Sequence, residues 1–167
     1  MSLYHHTISS PIGDLLLVGD MDALHGVYFQ SGPHPHKPEK DWQAGDKPFK
    51  EAMRQLKAYF AGKLTHFDLP LQPQGTEFQM QVWRALRTIP YGKTWSYGQL
   101  AERVRRPKAS RAVGAANGQN PIPVIIPCHR VIGADGSLTG FGGGLPIKRK
   151  LLAIEGALVE SKQARLL

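Results

Sequence analysis

The sequence comprises 167 residues, of which 41% are hydrophobic, and it carries a formal net charge of +8. A chain of this length can bury a core as one ordinary domain or as two small ones. No stretch approaches the roughly 18 consecutive apolar residues that cross a bilayer, so the composition excludes a membrane-spanning protein.

The first third of the chain is predicted to form β structure followed by one helix. Residues 3–30 break into short apolar or β-branched runs, separated by the turn sequences Pro-Ile-Gly and Gly-Asp-Met-Asp. Residues 31–45 are rich in proline, glycine and charge, which predicts an exposed loop. From Asp46, the expected N-cap, apolar residues follow helical spacing as far as a stop at Gly62.

A linker is predicted next, because residues 64–75 contain two prolines and no periodic apolar pattern. We therefore divide the chain into an N-terminal domain with its linker, residues 1–70, and a C-terminal domain, residues 71–167.

The second half of the chain is predicted to be mostly helical. Thr76 and Ser96 are the expected caps of two amphipathic helices, and Ala109 begins a short helix of small residues, ASRAVGAANG. The basic break RRPK between the last two helices predicts a helix-turn-helix. A final helix is expected from Pro146, after a long loop.

The positive charge of the chain is confined to one segment. Between Arg84 and Lys150 there are twelve lysines and arginines, against only Glu102 and Asp135 on the acidic side. The remainder holds nine basic and eleven acidic residues. A concentrated basic segment attracts a polyanion such as nucleic acid. A solvated basic surface that serves only solubility is the alternative.

Two further patterns do not favour a metal or cofactor. Five of the seven histidines, among them His34 and His36, lie in the N-terminal third without any cysteine, whereas structural zinc sites combine several Cys and His at defined spacing. The glycine run FGGGLPIKRK lacks the spacing of a P-loop or of a dinucleotide fingerprint. We therefore expect no metal and no cofactor.

Cys128 is the only cysteine of the chain and lies in the segment IIPCHRVIG. A lone cysteine after apolar residues is often a core residue, and that interpretation stays open from composition alone. Three nearby prolines stiffen this segment, however, and His129 and Arg130 supply a base and a positive charge that favour the nucleophilic thiolate. Neighbouring side chains of an extended segment point to opposite faces, so a link from Cys128 to His129 requires a turn or a bridging water.

Several segments together resemble the O6-alkylguanine-DNA alkyltransferases, also called methylated-DNA–protein-cysteine methyltransferases: TISSPIGDLLL, TEFQMQVWRAL, IPYGKTWSYGQLA, ASRAVGAANGQNP and NPIPVIIPCHRVIG. The resemblance extends from Thr7 to Glu155. It implies an α+β fold, in which a small N-terminal ribonuclease-H-like α/β domain precedes a mostly helical C-terminal domain with a helix-turn-helix. It also implies a stand-alone member of the bacterial type.

The resemblance implies direct-reversal DNA repair. The alkyl group of O6-alkylguanine, and we expect also that of O4-alkylthymine, would pass to Cys128 irreversibly and once per molecule. By motif match, His129 would accept the thiol proton through a water molecule, and Glu155 would orient His129. Tyr97 would donate a proton to the guanine, and Asn120 would tie the helix-turn-helix to the active-site segment.

The same resemblance assigns residues to DNA and to the base. Arg111 would enter the base stack in place of the flipped nucleotide. Phe141 and Pro123 would line the base pocket, and Phe141 and Gly142 replace the tyrosine and serine of some relatives, which puts the preferred alkyl group in doubt. Small residues would let the helix approach the minor groove: Ala109, Ser110, Ala112 and Gly114.

The expected partner is double-stranded DNA that contains O6-alkylguanine, bound by a monomer or cooperatively. A cytoplasmic location, at the nucleoid in a bacterium, is expected from the single cysteine and from an N-terminus without a signal-peptide pattern. The main alternative function is a non-catalytic protein that binds alkylated DNA, against which Cys128 argues. A helix-turn-helix transcription factor and a Cys-His hydrolase are further alternatives, although the sequence shows no evident oxyanion hole for the hydrolase.

Overall fold

A computed structural model describes residues 2–157 of the chain, which contain five α-helices and six short strands. The α+β class expected from the sequence is therefore confirmed. The chain divides into two compact units, Met1–Gln74 and Gly75–Leu167. No helix within residues 2–157 is both long and apolar enough to cross a membrane.

A four-stranded sheet forms the first unit. Its strands are β1 (Tyr4–Ile8), β2 (Leu15–Gly19), β3 (Leu24–Phe29) and β4 (Gln43–Ala44). They follow the order β3-β2-β1-β4, with β4 parallel to β1 and the other pairs antiparallel. All five residues of β2 are buried, as expected for a continuous apolar run inside a sheet.

The helix of the first unit, α1 (Lys50–Phe60), begins later than the sequence predicts. Asp46 is the N-cap of a 3₁₀ turn, Lys47–Phe49, that runs directly into α1, but its side chain makes no capping hydrogen bond. Pro48 in this turn has no N–H to donate, and the Phe49 N–H already donates to the Asp46 carbonyl at 2.9 Å. The helix ends as predicted, since Gly62 adopts a left-handed φ of 75°.

The predicted loop at residues 31–45 is exposed over most of its length and also contributes β4. His36 in this loop stacks on the Tyr28 ring at 3.9 Å between centroids. Among residues 2–157, no group of three or more His, Cys, Asp or Glu side chains is arranged to hold a metal ion.

Helices dominate the second unit, as predicted. They are α2 (Glu77–Leu86), α3 (Tyr97–Arg103), α4 (Ser110–Gly118) and α5 (Leu145–Ile154), the last beginning one residue before Pro146. Both predicted caps are confirmed, because Thr76 and Ser96 each form a complete capping box with the glutamine three residues on. The α4 helix packs against α2, where the Trp83 indole donates to the Ala116 carbonyl at 2.8 Å.

Two short parallel strands bring the start of α3 beside the cysteine segment. They are β5 (Trp95–Ser96) and β6 (Val131–Ile132), and Trp95 is paired with Val131. This pairing joins the residues before α3 to the strand that follows Cys128.

A left-handed residue closes α3. Arg105 has a φ of 61°, and its N–H donates to the Glu102 carbonyl, while that of Arg106 donates to the Ala101 carbonyl. These two bonds form the Schellman arrangement, in which the left-handed position is usually glycine. An exposed arginine occupies it here.

Candidate active site

Cys128 opens a single 3₁₀ turn, Cys128–Arg130, rather than continuing an extended strand. The sulfur-bearing residue is 5% exposed, and its N–H donates to the Ile126 carbonyl at 2.8 Å. Cys128 and His129 therefore stand in a turn, one of the two arrangements that the sequence required for a link between them.

Two asparagine side chains at the end of α4 form hydrogen bonds with the cysteine turn and the segment before it. Asn120 donates to the Ile126 carbonyl at 2.7 Å and accepts from the Ile122 N–H at 3.0 Å. Asn117 donates to the Cys128 carbonyl at 3.4 Å. Asn120 therefore bonds the residues after α4 to the segment before the cysteine. Asn117 is a second connection, which the sequence did not indicate.

His129 is fully buried and pairs with a carboxylate from the end of α5. Its Nε2 lies 2.7 Å from Glu155 Oε2, and both side chains are inaccessible to solvent. Arg130 donates from Nε to Glu155 Oε1 at 2.8 Å and from Nη2 to Oε2 at 3.1 Å. A third nitrogen, Nη1, donates to the Ile89 carbonyl at 2.7 Å. Glu155 thus stands at the C-cap of α5 and accepts three charge-assisted bonds.

These contacts determine which nitrogen of His129 can act as a base. Burial alone would raise the pKa of Glu155, but the bonds from His129 and Arg130 outweigh burial and lower it to about 2. The carboxylate is therefore ionised and only accepts hydrogen bonds, so His129 Nε2 carries the hydrogen. Nδ1 is then the unprotonated nitrogen, and it makes no hydrogen bond within the part of the chain that the structure describes.

Burial keeps both Cys128 and His129 neutral at rest. It raises the pKa of the Cys128 thiol to about 11, although the Asn120 amide and the charge of Lys148 act in the opposite direction. Burial likewise lowers the pKa of His129, although its bond to Glu155 favours the protonated form. The site therefore holds a protonated thiol and an unprotonated imidazole on consecutive residues.

Lys148 is a buried cation that sequence reasoning missed. Its Nζ donates to the Val131 carbonyl at 2.6 Å and to the Thr139 carbonyl at 2.9 Å, and the residue has no exposed surface. Burial lowers its pKa to about 8, whereas Cys128 favours its charged form. Lys148 thus joins the strand after the cysteine to the following loop and brings a positive charge near the sulfur.

Tyr97 lies at the first turn of α3, half-buried. Its hydroxyl accepts a hydrogen bond from Thr139 Oγ1 at 3.1 Å, which leaves the phenolic hydrogen free for another acceptor. A Cβ added to Gly114 would lie 3.5 Å from the Tyr97 ring, so α4 and this ring are already close together.

The residues assigned to DNA lie on α4 and at its start. Arg111 and Ala112 are exposed, whereas Ala109, Ser110 and Gly114 are half-buried. Of the two residues assigned to the base pocket, Pro123 is buried and Phe141 is half-buried. The structure therefore bonds His129 to Glu155 and Asn120 to the segment before Cys128, and it presents Arg111 at the surface.

Comparison with known proteins identifies the family of this chain. Residues 77–157 match the sequence-family model of the 6-O-methylguanine DNA methyltransferase DNA binding domain. Residues 3–73 match the family model of the ribonuclease-like domain of the same proteins. The chain belongs to the 6-O-methylguanine DNA methyltransferase family. The resemblance found in the sequence is thereby confirmed.

Members of this family from archaea and mycobacteria are similar over nearly the whole chain. A methylated-DNA–protein-cysteine methyltransferase of Methanosarcina acetivorans is 52% identical over 155 residues, covering 93% of this chain and 99% of its own length. The Mycobacterium bovis protein of the same name is 50% identical over 159 residues, with 92% of each chain covered.

Solved structures of the family have the same fold. The O6-methylguanine methyltransferase of Mycobacterium tuberculosis aligns with a TM-score of 0.86 and 46% identity over 99% of both chains. A structure of the M. tuberculosis protein in complex with DNA aligns with the same TM-score and 49% identity over 92% of this chain and 93% of that one.

Proposed function

We propose that this chain repairs DNA by transferring the alkyl group of O6-alkylguanine to the sulfur of Cys128. The observation that carries the proposal is the buried bond between His129 Nε2 and Glu155 beside the cysteine, because it leaves Nδ1 free to accept a proton. Family membership supports the reaction class, and O4-alkylthymine is included as a second substrate.

In the proposed reaction, Cys128 forms a carbon–sulfur bond while the bond between carbon and O6 breaks. The thiol proton passes to His129 Nδ1 through a water molecule, and the resulting imidazolium is stabilised by Glu155. The departing guanine takes a proton from Tyr97, whose hydroxyl hydrogen is not used by Thr139. A thioether has no carbonyl for water to attack, so each molecule reacts once, and neither metal nor cofactor is required by this chemistry.

A base inside a duplex is out of reach of a buried thiol, so the proposal includes base flipping. Arg111 would fill the gap in the stack, which its exposure permits. The small residues of α4 would let the helix approach the sugar-phosphate backbone, and Phe141 and Pro123 would line the pocket for the base. Asn120 would transmit the position of α4 to the cysteine turn through its bond to Ile126.

We also infer the finer architecture implied by the family. The antiparallel β1–β2–β3 meander with a parallel fourth strand supports a ribonuclease-H-like first domain. The proposed domain limits stay 1–70 and 71–167, and this boundary falls four residues before the end of the first compact unit at Gln74. The packing of α3 on α4 supports a helix-turn-helix. A cytoplasmic location belongs to the proposal, on the ground of the single cysteine, and a monomer, acting alone or cooperatively, is proposed as the active form.

The test of the proposed function is intact-protein mass spectrometry after mixing with a duplex that contains one O6-methylguanine. We expect the mass to rise by one methyl group in place of hydrogen, on the peptide that contains Cys128. The same duplex with guanine, and the Cys128→Ala variant with the lesion, are the controls. Tight binding of the lesion without any gain in mass would establish the alternative, a non-catalytic lesion-binding protein.

The role of Arg111 has its own test. Arg111→Ala is expected to slow the reaction with duplex DNA while leaving the slow reaction with free O6-benzylguanine largely unchanged, because a free base needs no flipping. Equal losses on both substrates would contradict the flipping role and would point to damage at the site itself.

A further inference from the structure

The segment that joins α3 to α4 concentrates unpaired positive charge. Within residues 2–157, no ion pair links a carboxylate to any of the five cations between positions 103 and 111. Arg103 rests over the Trp95 ring at 4.8 Å and Arg106 over the Phe78 ring at 5.4 Å. The full set is Arg103, Arg105, Arg106, Lys108 and Arg111.

Arg105 occupies a backbone position that suits glycine better. Its φ of 61° brings the Cβ of an L-residue close to the carbonyl oxygen that follows, a strain that glycine avoids. The side chain is exposed, so core packing does not account for an arginine here. The helix dipole does not account for it either, because Arg103 already supplies a cation in the last turn of α3.

A strained residue that local folding does not require indicates a function for its side chain. We propose that Arg105 binds a phosphate of the DNA backbone, so that the turn between α3 and α4 holds one strand beside α4. This inference rests on the proposed function and adds to it a residue whose charge is retained at the expense of stability. Because a phosphate contact carries no sequence information, it suits a protein that must bind any sequence.

Three variants at position 105 separate charge from backbone conformation. Arg105→Gly removes both charge and strain, and Arg105→Asn removes the charge but tolerates the left-handed conformation. Arg105→Lys, the matched control, keeps both charge and strain. Affinity for an undamaged duplex is measured by fluorescence anisotropy over a series of salt concentrations, and stability by thermal unfolding of the free protein.

The glycine and asparagine variants should lose DNA affinity to a similar extent. Loss of one phosphate contact is expected to weaken binding by roughly three- to tenfold near 0.1 M salt and to reduce the log–log salt slope by about 0.9. The glycine variant should also unfold about 2–4 °C higher than the native chain. The lysine variant should match the native chain in both measurements.

Unchanged affinity and salt slope in Arg105→Gly would overturn the proposal. So would a lower unfolding temperature in that variant, because it would show that the arginine serves folding, or a lysine variant as weak as the glycine variant. Methyl transfer to Cys128 is followed in parallel on the native chain. If transfer occurs while the position-105 variants bind normally, the inference about Arg105 fails and the repair function stands.

Discussion

At Cys128, burial opposes the reactivity that the proposed function needs. A thiol with a pKa near 11 is almost entirely protonated at neutral pH, and the thiol is a far weaker nucleophile than the thiolate. We infer that the thiolate forms only as His129 takes the proton during the reaction. The same burial keeps His129 neutral and therefore able to accept the proton.

The pH dependence of thiol reactivity tests this state directly, because the chain has a single cysteine. In the folded protein, the rate of modification by iodoacetamide should continue to rise with pH toward about 11, whereas in urea it should level near the ordinary value of 9. At neutral pH the folded protein should react at least roughly a hundredfold more slowly, from the two-unit difference in pKa alone. A plateau below pH 8 in the folded state would show that the resting cysteine is a thiolate.

Glu155 accepts hydrogen bonds from one buried cation, Arg130, and from the neutral His129, so its loss should be costly. Glu155→Gln leaves Arg130 buried without a counter-charge and is expected to reduce the free energy of unfolding by about 3–5 kcal/mol, measured in urea. The matched control is Glu51→Gln, which breaks the exposed pair with Arg54 and should change stability little.

The effect of Glu155→Gln should also depend on pH in a defined direction. The pKa of Glu155 falls from 4.5 to about 2 in the folded state, so its stabilisation is fully present above 4.5 and is lost as the pH falls toward 2. The difference between the native chain and the variant should therefore shrink over that interval. A difference that stays constant from pH 6 to pH 3 would contradict the ionised state of Glu155.

At the scale of elements, capping determines where the catalytic tyrosine of the proposal stands. Tyr97 is the first residue of α3, and the Ser96 side chain accepts from the Gln99 N–H at 3.1 Å. Thr76 caps α2 in the same way, with a bond to the Gln79 N–H at 3.1 Å. Equivalent caps therefore begin both helices, although only α3 carries a residue of the proposed reaction, Tyr97.

Removal of either cap should lower stability alike, but only one should affect the reaction. Ser96→Ala and Thr76→Ala are each expected to reduce the free energy of unfolding by about 1 kcal/mol. Ser96→Ala should in addition slow methyl transfer, because fraying of α3 displaces Tyr97, whereas Thr76→Ala should not. Rates are followed by intact mass in a quenched time course. Equal rates of methyl transfer in the two variants would contradict a catalytic role for the Tyr97 hydroxyl.

The starts of helices were predictable from the sequence where the residues that determine them are neighbours in the chain. Thr76 and Ser96 are followed by glutamine three residues on, and the caps form as expected. The Asp46 side chain makes no capping bond, because Pro48, two positions on, has no N–H to donate to it.

The parts of the site that the sequence did not predict depend on contacts between residues far apart in the chain. Arg130 meets Glu155 across 25 residues, and Lys148 meets Val131 across 17. Neither spacing forms a pattern in one sequence. The roles of Glu155, Tyr97 and Asn120 came from the family resemblance, because nothing in the composition or periodicity distinguished them.

For the whole molecule, burial changes the meaning of the charge count. Two of the twelve cations between Arg84 and Lys150 are buried and bonded inside the protein: Arg130 pairs with Glu155, and Lys148 donates to backbone carbonyls. The positive surface of the second unit is therefore smaller than its sequence suggests. The first 74 residues hold seven basic and eight acidic residues and add no positive surplus.

Binding of the intact protein to undamaged duplex should weaken as salt increases. Each neutralised phosphate contributes about −0.9 to the slope of log affinity against log salt, so the slope gives the number of contacts. We expect contacts from the exposed cations of the second unit only, and a slope correspondingly below the full count of basic residues. A flat salt dependence would remove the electrostatic argument for DNA.

The burial of the single cysteine also affects how readily the protein is oxidised before it reacts with DNA. Peroxide attacks the thiolate and needs access to it, so a protonated thiol in a residue that is only 5% exposed resists conversion to sulfenic acid. With no second cysteine in the chain, an internal disulfide has no partner. A reagent that can be spent only once is thereby preserved through oxidative stress until a damaged base arrives.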